Sequence, residues 1–167
     1  MAGAFLFSPL FVIIIWMEFL KGERPVFYLK KSLGKGGKEF SAIKFRSMAV
    51  NSLQITRFGL VLRQTAMDEF PQLINILKGE MSFVGPRNYG VDRYEKASSN
   101  FLQRLRVTPG LTGLAQVFAP KYATNEEVLK WDLEYVRNRN FILDLWLIFI
   151  SVLVTLKRNW ESPNRKI

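Results

Sequence analysis

Hydrophobic and polar positions follow three different patterns along this chain. The first is an almost unbroken apolar run from Ala2 to Leu20, interrupted by Ser8-Pro9 and closed by Glu18, Lys21 and Arg24. At ~1.5 Å rise per residue, such a helix just covers a bilayer core of about 30 Å. Pro9 removes a backbone hydrogen bond mid-run and kinks the helix, and in lipid Ser8 can re-satisfy the freed carbonyl. The run therefore spans with a kink, bends at Pro9 and returns to the same face, or forms a buried core helix. It is a poor signal peptide, because no cationic residue precedes it and no small-residue cleavage site follows. Lys21, Arg24, Lys30, Lys31 and Lys35 come after it, which predicts that the rest of the chain is cytoplasmic.

The second pattern has a period of two. Pro25 to Leu29 reads as extended and aromatic, Gly34 to Lys38 as a turn, and Glu39 to Arg46 as a returning strand. Ile43 and Phe45 then share one face, leaving Lys44 and Arg46 on the other. The glycine turn lacks the Gly-x4-Gly-Lys-Ser/Thr spacing of a phosphate loop, so it is read as a hairpin turn. Beyond a short mixed block from Ile55 to Gln64, the pattern becomes helical. Thr65 with Asp68 three residues later predicts a helix start, Leu73, Ile74 and Leu77 its apolar stripe, and Lys78-Gly79 its stop. Asp68 would then sit near a helix N-terminus, which favours its ionised form. Near the C-terminus, Trp131 to Tyr135 precedes the apolar stretch Phe141 to Leu156, which carries Asp144. It is a poor span and a fair interfacial or core helix. Trp146 and Trp160 suit headgroup depth or ordinary packing equally.

Composition narrows the chemistry. With 167 residues the chain has room for one ordinary domain. Lys and Arg number 24 against 14 Asp and Glu, a net charge of +10 that calls for anionic partners: nucleic acid, acidic lipid or phosphorylated substrate. No nucleic-acid motif accompanies the charge, so Arg104 and Arg106 are assigned to lipid or phosphate. The chain has no histidine and no cysteine. That excludes thiol nucleophiles, imidazole bases and zinc, and makes any metal a hard cation on carboxylate oxygen, Mg²⁺ being the natural candidate. The acids that stand out are Asp68 and Glu69, adjacent, with Arg57 to Arg63 upstream and Gly85-Pro86-Arg87 downstream. First-turn acids are common; adjacent acids among arginines are costly unless something anionic or metallic binds there.

An ordered set of segments carries a resemblance. Lys44-Phe45-Arg46-Ser47-Met48, Ile55-Thr56-Arg57, Leu62-Arg63, Asp68-Glu69-Phe70-Pro71-Gln72-Leu73, Leu77 to Arg87 and Pro109-Gly110-Leu111-Thr112-Gly113 occur in that order. From about Phe7 to about Lys157 the chain closely resembles the bacterial sugar transferases, the monotopic phosphoglycosyl transferases. The resemblance implies transfer of a sugar-1-phosphate from a nucleotide diphosphosugar, with uridine the expected base, to a polyprenyl phosphate. That reaction starts surface glycan assembly at the cytoplasmic face of the bacterial inner membrane, with membrane lipids as partners and no nucleic acid.

By position, the resemblance makes Asp68 the nucleophile, Glu69 the Mg²⁺ ligand, and Lys44, Arg63 and Arg87 the phosphate-binding cations. Arg46, Asp132 and Asp144 rank below them, the two acids as supporting or structural groups. Ser8-Pro9 becomes the break of a re-entrant hairpin helix. The implied fold is α+β. Residues 1–22 form a membrane anchor shortened before the break. Residues 23–160 form a membrane-associated catalytic domain with a β-hairpin and several helices, some of them interfacial, and 161–167 a tail. Four features depart from the family pattern: a short link from Met48 to Ile55, Asn88 after Gly-Pro-Arg, Thr108 before Pro109, and Leu114. Asn88 is expected to loosen the turn that aims Arg87, since proline would fix φ. The alternative reading is a truncated relative with little activity, acting as a partner or remnant.

Overall fold

The hairpin forms where the alternation predicts it, and its first strand runs further than expected. The computed structural model describes residues 25–50, 52, 54–95, 99–120 and 122–156. Strand β1 (Phe27–Leu33) pairs antiparallel with β2 (Glu39–Phe45), Phe27 opposite Phe45 and Leu33 opposite Glu39. The connection needs left-handed backbone at Gly36 and Gly37, φ +69° and +79°, which glycine adopts without steric cost. One face carries Tyr28, Lys30 and Lys44 at its open end. Further along the same face, Ala42 and Phe40 bury against Met81 and Ile76. On the other face Phe27 stacks on Phe45 at 5.6 Å, and the pair packs with Leu62, Phe58, Met67 and Phe70.

Helix α1 (Arg57–Gln64) starts at Thr56, whose hydroxyl accepts from the Gly59 amide at 2.9 Å. It lies against the strand end so closely that a Cβ at Gly59 would fall 1.9 Å from the Ser47 carbonyl oxygen. Gly59→Ala is expected to destabilise the fold by about 1–3 kcal/mol through overpacking. A thermal melt with a normal midpoint would show that the helix can shift away from Ser47 freely.

Two sequence expectations fail here. Thr65 caps no helix start. It is the C-terminal cap of α1, its hydroxyl donating back to the Val61 carbonyl at 2.8 Å. The reason is Ala66, whose left-handed φ of 55° ends α1 and turns the chain into a 3-10 turn, Met67–Glu69. The second failure is the stripe Leu73, Ile74 and Leu77. In α2 (Gln72–Leu77) the buried residues are Gln72 and Asn75, while Ile74 and Leu77 are exposed. Asn75 accepts from the Ile43 amide and donates to the Ser41 carbonyl, satisfying the open edge of β2. Unpaired edge groups demand polar partners, so the helix turns its amide face inward.

Strand β3 (Ser82–Val84) runs parallel to a later strand, with α3 (Val91–Glu95), α4 (Ser99–Leu102) and a 3-10 turn (Gln103–Arg106) between them. That later strand is β4 (Gly110–Thr112), Val84 lying opposite Thr112. Then come α5 (Leu114–Phe118), α6 (Asn125–Asn138) and α7 (Phe141–Leu156). Their core holds Val84, Val107, Leu114, Val117, Tyr135 and Leu147, which places Leu114 in packing. The described residues are thus mixed α+β, with two small sheets. Among the described residues no helix is long and apolar enough to cross a membrane. Helix α7 buries Leu147 and Val154 but leaves Phe141, Ile142, Leu145, Phe149 and Val152 exposed. Trp146 stacks on Phe118 at 5.5 Å. Ser8, Pro9, the anchor at 1–22, Trp160 and the tail at 161–167 lie outside the described residues.

Candidate active site

Six of the residues singled out in the sequence converge. Lys44, Arg46, Arg63, Asp68, Glu69 and Arg87 line one cleft of about 760 Å³. Lys44 reaches it from the open end of the β2 face whose other end, Ala42 and Phe40, is buried. The left-handed turn at Ala66 swings Met67–Glu69 across the mouth of α1, so both carboxylates meet that face. The carboxylates therefore sit on a separate 3-10 turn one step ahead of α2, not in its first turn.

The two acids experience opposite fields. Glu69 Oε1 accepts from Lys44 Nζ at 2.5 Å and from Arg87 Nη2 at 2.9 Å. Burial alone would raise its pKa, but Arg87 and Lys44 outweigh burial and hold the carboxyl below its ordinary value. Asp68 has no hydrogen-bond or ion-pair partner among the described residues. Burial, reinforced by the Glu69 charge, lifts its pKa from 3.8 to about 6, against the pull of Lys44, Arg87 and Arg63. One carboxylate is thus locked and the other stands unpaired. An unpaired carboxylate titrating near neutrality has the state a nucleophile or proton carrier needs.

Arg87 is aimed by the second sheet. Gly85 donates to the Thr112 carbonyl at 2.8 Å, and the Gly110 amide donates to Pro86 at 2.9 Å. The strands approach so closely that a Cβ on Gly110 would lie 2.0 Å from the Gly85 nitrogen. Gly85-Pro86-Arg87 and Pro109-Gly110-Leu111 therefore meet as one clamp. Arg104 Nη2 donates to the Arg87 carbonyl at 2.8 Å and pairs with Asp132 at 2.8 Å, both side chains about 1% exposed. The Arg104 guanidinium also lies over the Tyr89 and Phe101 rings, at 4.3 and 4.7 Å. Asn88 is buried, its amide donating to Met81 Sδ, so the turn after Arg87 is tied down and not loosened.

Other sequence candidates stand apart. Arg104 is no lipid or phosphate contact, because it is sealed in the ion pair with Asp132; Arg106 is exposed. Asp132 is that interior partner, and burial, opposed by Arg104, raises its carboxyl to about 6. Asp144 accepts the Tyr135 hydroxyl at 2.8 Å, joining α6 to α7. Arg46 lines the cleft while its Nε donates to the Pro25 carbonyl at 2.8 Å. Arg63 Nε donates to the Ser47 hydroxyl at 2.8 Å. Lys30 also lines the cleft. Sequence reasoning took it only as a flanking charge, although extending the alternation of β1 past Leu29 would have put it on the Lys44 face. Asp68 and Glu69 offer hard carboxylate oxygens of the type Mg²⁺ accepts, and these two residues would hold such a cation. Among the described residues no group of three or more His, Cys, Asp or Glu side chains is placed to hold a metal ion.

Comparison with known proteins agrees with the family resemblance. The bacterial sugar transferase family model matches residues 1–158. The chain is 36% identical to the UDP-glucose:undecaprenyl-phosphate glucose-1-phosphate transferase of Xanthomonas campestris pv. campestris, over 89% of this chain and 35% of that protein. It is 33% identical to the UDP-N-acetylgalactosamine-undecaprenyl-phosphate N-acetylgalactosaminephosphotransferase of Aeromonas hydrophila, over 90% of this chain and 40% of the relative. Against the exopolysaccharide production protein ExoY of Rhizobium meliloti (strain 1021) the identity is 34%, over 88% and 77%. The chain thus spans well under half of the first two relatives and most of the third. The ordered motifs, the cleft they build and these matches lead to one conclusion: the chain belongs to the bacterial sugar transferase family.

Proposed function

We propose that this cleft transfers a sugar-1-phosphate from a nucleotide diphosphosugar, a UDP-sugar by analogy with the relatives, to a polyprenyl phosphate. The observation that carries the reading is the unpaired Asp68 carboxylate beside a Glu69 held by Lys44 and Arg87. In the first half-reaction an Asp68 oxygen attacks the sugar-bearing phosphorus. The bridging P–O bond breaks, and its electron pair leaves on the nucleoside monophosphate. In the second, an oxygen of the acceptor phosphate attacks the same phosphorus and the Asp68–phosphorus bond breaks, restoring the carboxylate. Lys44, Arg63 and Arg87 neutralise the phosphate oxygens, the guanidinium fork matching them in pairs. Mg²⁺, held by Glu69 beside Asp68, would supply further charge neutralisation on the diphosphate. Two half-reactions at one carboxylate give ping-pong kinetics.

The setting is the cytoplasmic face of the bacterial inner membrane. In this reading residues 1–22, which lie outside the described residues, would serve as the membrane anchor with Ser8-Pro9 as its break, and 23–160 as the catalytic domain. The apolar run and the exposed apolar face of α7 support this placement, since such a face is stable against acyl chains.

The test is nucleotide release by membrane-reconstituted protein given polyprenyl phosphate, Mg²⁺ and a panel of UDP-sugars. UMP release is expected with at least one donor. Arg87→Ala should lower the rate about 100-fold or more, as loss of a transition-state donor does, while exposed Arg106→Ala stays within about threefold. Equal mild effects would make Arg87 ordinary surface charge. No release with any donor from correctly inserted protein would favour the weakly active relative.

A further inference from the structure

Four of the five cations of the cleft rest on a protein partner: Lys44 and Arg87 on Glu69, Arg63 on Ser47, and Arg46 on the Pro25 carbonyl. Lys30 lines the same cleft, and its side-chain ammonium makes no hydrogen bond or ion pair among the described residues. We propose that Lys30 is a phosphomonoester-binding residue: it holds the phosphate that departs with the nucleotide and, in the second half-reaction, the phosphate of the lipid acceptor. This assignment rests on the transferase reading of the same site.

Placement supports it. Lys30 and Tyr28 share the face of β1 that lies opposite Lys44 and Ala42 of β2. Lys30 is thus the diagonal neighbour of Lys44, with Cβ atoms about 7–8 Å apart, close enough for two long side chains to grip one diphosphate. Strand β2 packs on the turn carrying Asp68 and Glu69, so Lys30 sits on the next strand out, behind Lys44 as seen from that turn. A group there meets the phosphate next to the one being attacked. Its stem is also placed. Ser32 bridges Gly90, and a Cβ at Gly90 would come within 3.3 Å of Lys30 Cε, so the alkyl chain runs close over that glycine.

Charge points the same way. The cleft is lined by Lys30, Lys44, Arg46, Arg63 and Arg87 against Asp68 and Glu69, an excess of three positive charges. Burial, with Lys44 and Arg87 nearby, holds the Lys30 ammonium below the ordinary lysine pKa, against Asp92 and Glu69. An arriving phosphate dianion would relieve that repulsion. Because one pocket position would serve both half-reactions, the nucleotide must leave before the lipid phosphate can dock.

Lys30→Met keeps the stem and removes the charge. For reconstituted protein, the dissociation constant of UMP, its inhibition constant and the KM for polyprenyl phosphate are each expected to rise about tenfold or more, the worth of a charge-assisted hydrogen bond. Lys30→Arg should restore most of the UMP affinity. Lys38→Met, an exposed charge in the hairpin turn, should leave all three constants unchanged. A rise confined to the UMP constants would place Lys30 on the nucleotide phosphate, and one confined to the lipid KM on the acceptor phosphate; either keeps the phosphomonoester assignment. Wild-type protein that releases nucleotide, with all three constants unmoved by Lys30→Met at an unchanged melting temperature, would overturn the assignment and leave the transferase reading intact. Absence of both UMP binding and nucleotide release in the wild type would overturn both.

Discussion

Asp68→Asn is expected to abolish nucleotide release, by about 1,000-fold or more, and at the same time to make the folded protein more stable at pH 7.5. The first half follows from the mechanism, because an amide cannot attack phosphorus and carry the phosphosugar. The second follows from the environment. Asp68 has its pKa raised from 3.8 to about 6 by burial first and Glu69 second, so the folded state binds this proton more tightly than the unfolded chain. Ionising Asp68 therefore costs folding free energy. That cost is absent below about pH 4, grows between pH 4 and 6, and is complete above 6. At about 1.4 kcal/mol per pKa unit the ceiling is near 3 kcal/mol, and on the order of 1–2 remains after solvent screening of a partly exposed group. Asparagine carries no such penalty, so its melting temperature should exceed wild type at pH 7.5 and converge with it near pH 4. The same titration predicts that wild-type turnover falls as pH drops through about 6, where Asp68, the proposed nucleophile, takes up its proton. Bound Mg²⁺ would move that midpoint lower. Turnover retained in Asp68→Asn would remove the covalent mechanism. An inactive variant that is also less stable at pH 7.5 would show that the carboxylate has a structural partner.

The other large effect belongs to residues that never meet substrate. Asp132→Ala leaves Arg104 buried without its counter-charge and is expected to cost about 3–5 kcal/mol. Activity should fall with it, because Arg104 also donates to the Arg87 carbonyl. The separating experiment is the paired variant Arg104→Met with Asp132→Leu. Replacing a whole buried ion pair by apolar groups of similar volume is often nearly neutral, so most of the lost stability should return. Turnover should not. Arg87 would still lack the donor that holds its backbone, and a misplaced transition-state contact costs about 10- to 100-fold in kcat. Thermal melts with kcat and KM for both substrates decide it. Recovery of stability and kcat together would make the pair a packing device only, with Arg87 aimed by the Gly85–Gly110 clamp alone.

How much of this was legible beforehand depends on how local each cause is. The hairpin could be read because glycines at a turn and alternating side chains act over neighbouring residues. The pairing of Lys44 and Arg46 on one strand face followed from the same alternation, and both line the cleft. The acids, the cations and the family were carried by short segments in a fixed order. The errors arose where the deciding partner was distant in sequence. Leu73, Ile74 and Leu77 looked like a core stripe, but Asn75 had to face inward to satisfy the edge of β2, 32 residues away at Ile43. Thr65 looked like a cap because nothing local announces that Ala66 turns left-handed. Arg104 reads as a lipid or phosphate contact because Asp132 joins it only after α6 packs.

The sequence by itself therefore determined the chemical inventory: two adjacent carboxylates, an excess of cations, no thiol or imidazole, and the family to which they belong. Tertiary structure decided the division of labour. Among the described residues, packing put Lys44 and Arg87 on one carboxylate and no ion-pair partner on its neighbour, buried Arg104 against Asp132 behind Arg87, and brought Lys30 into the cleft. Charge interactions and burial act through space between segments far apart in the chain. The same residue types become locked, free or structural only once the fold has set their distances.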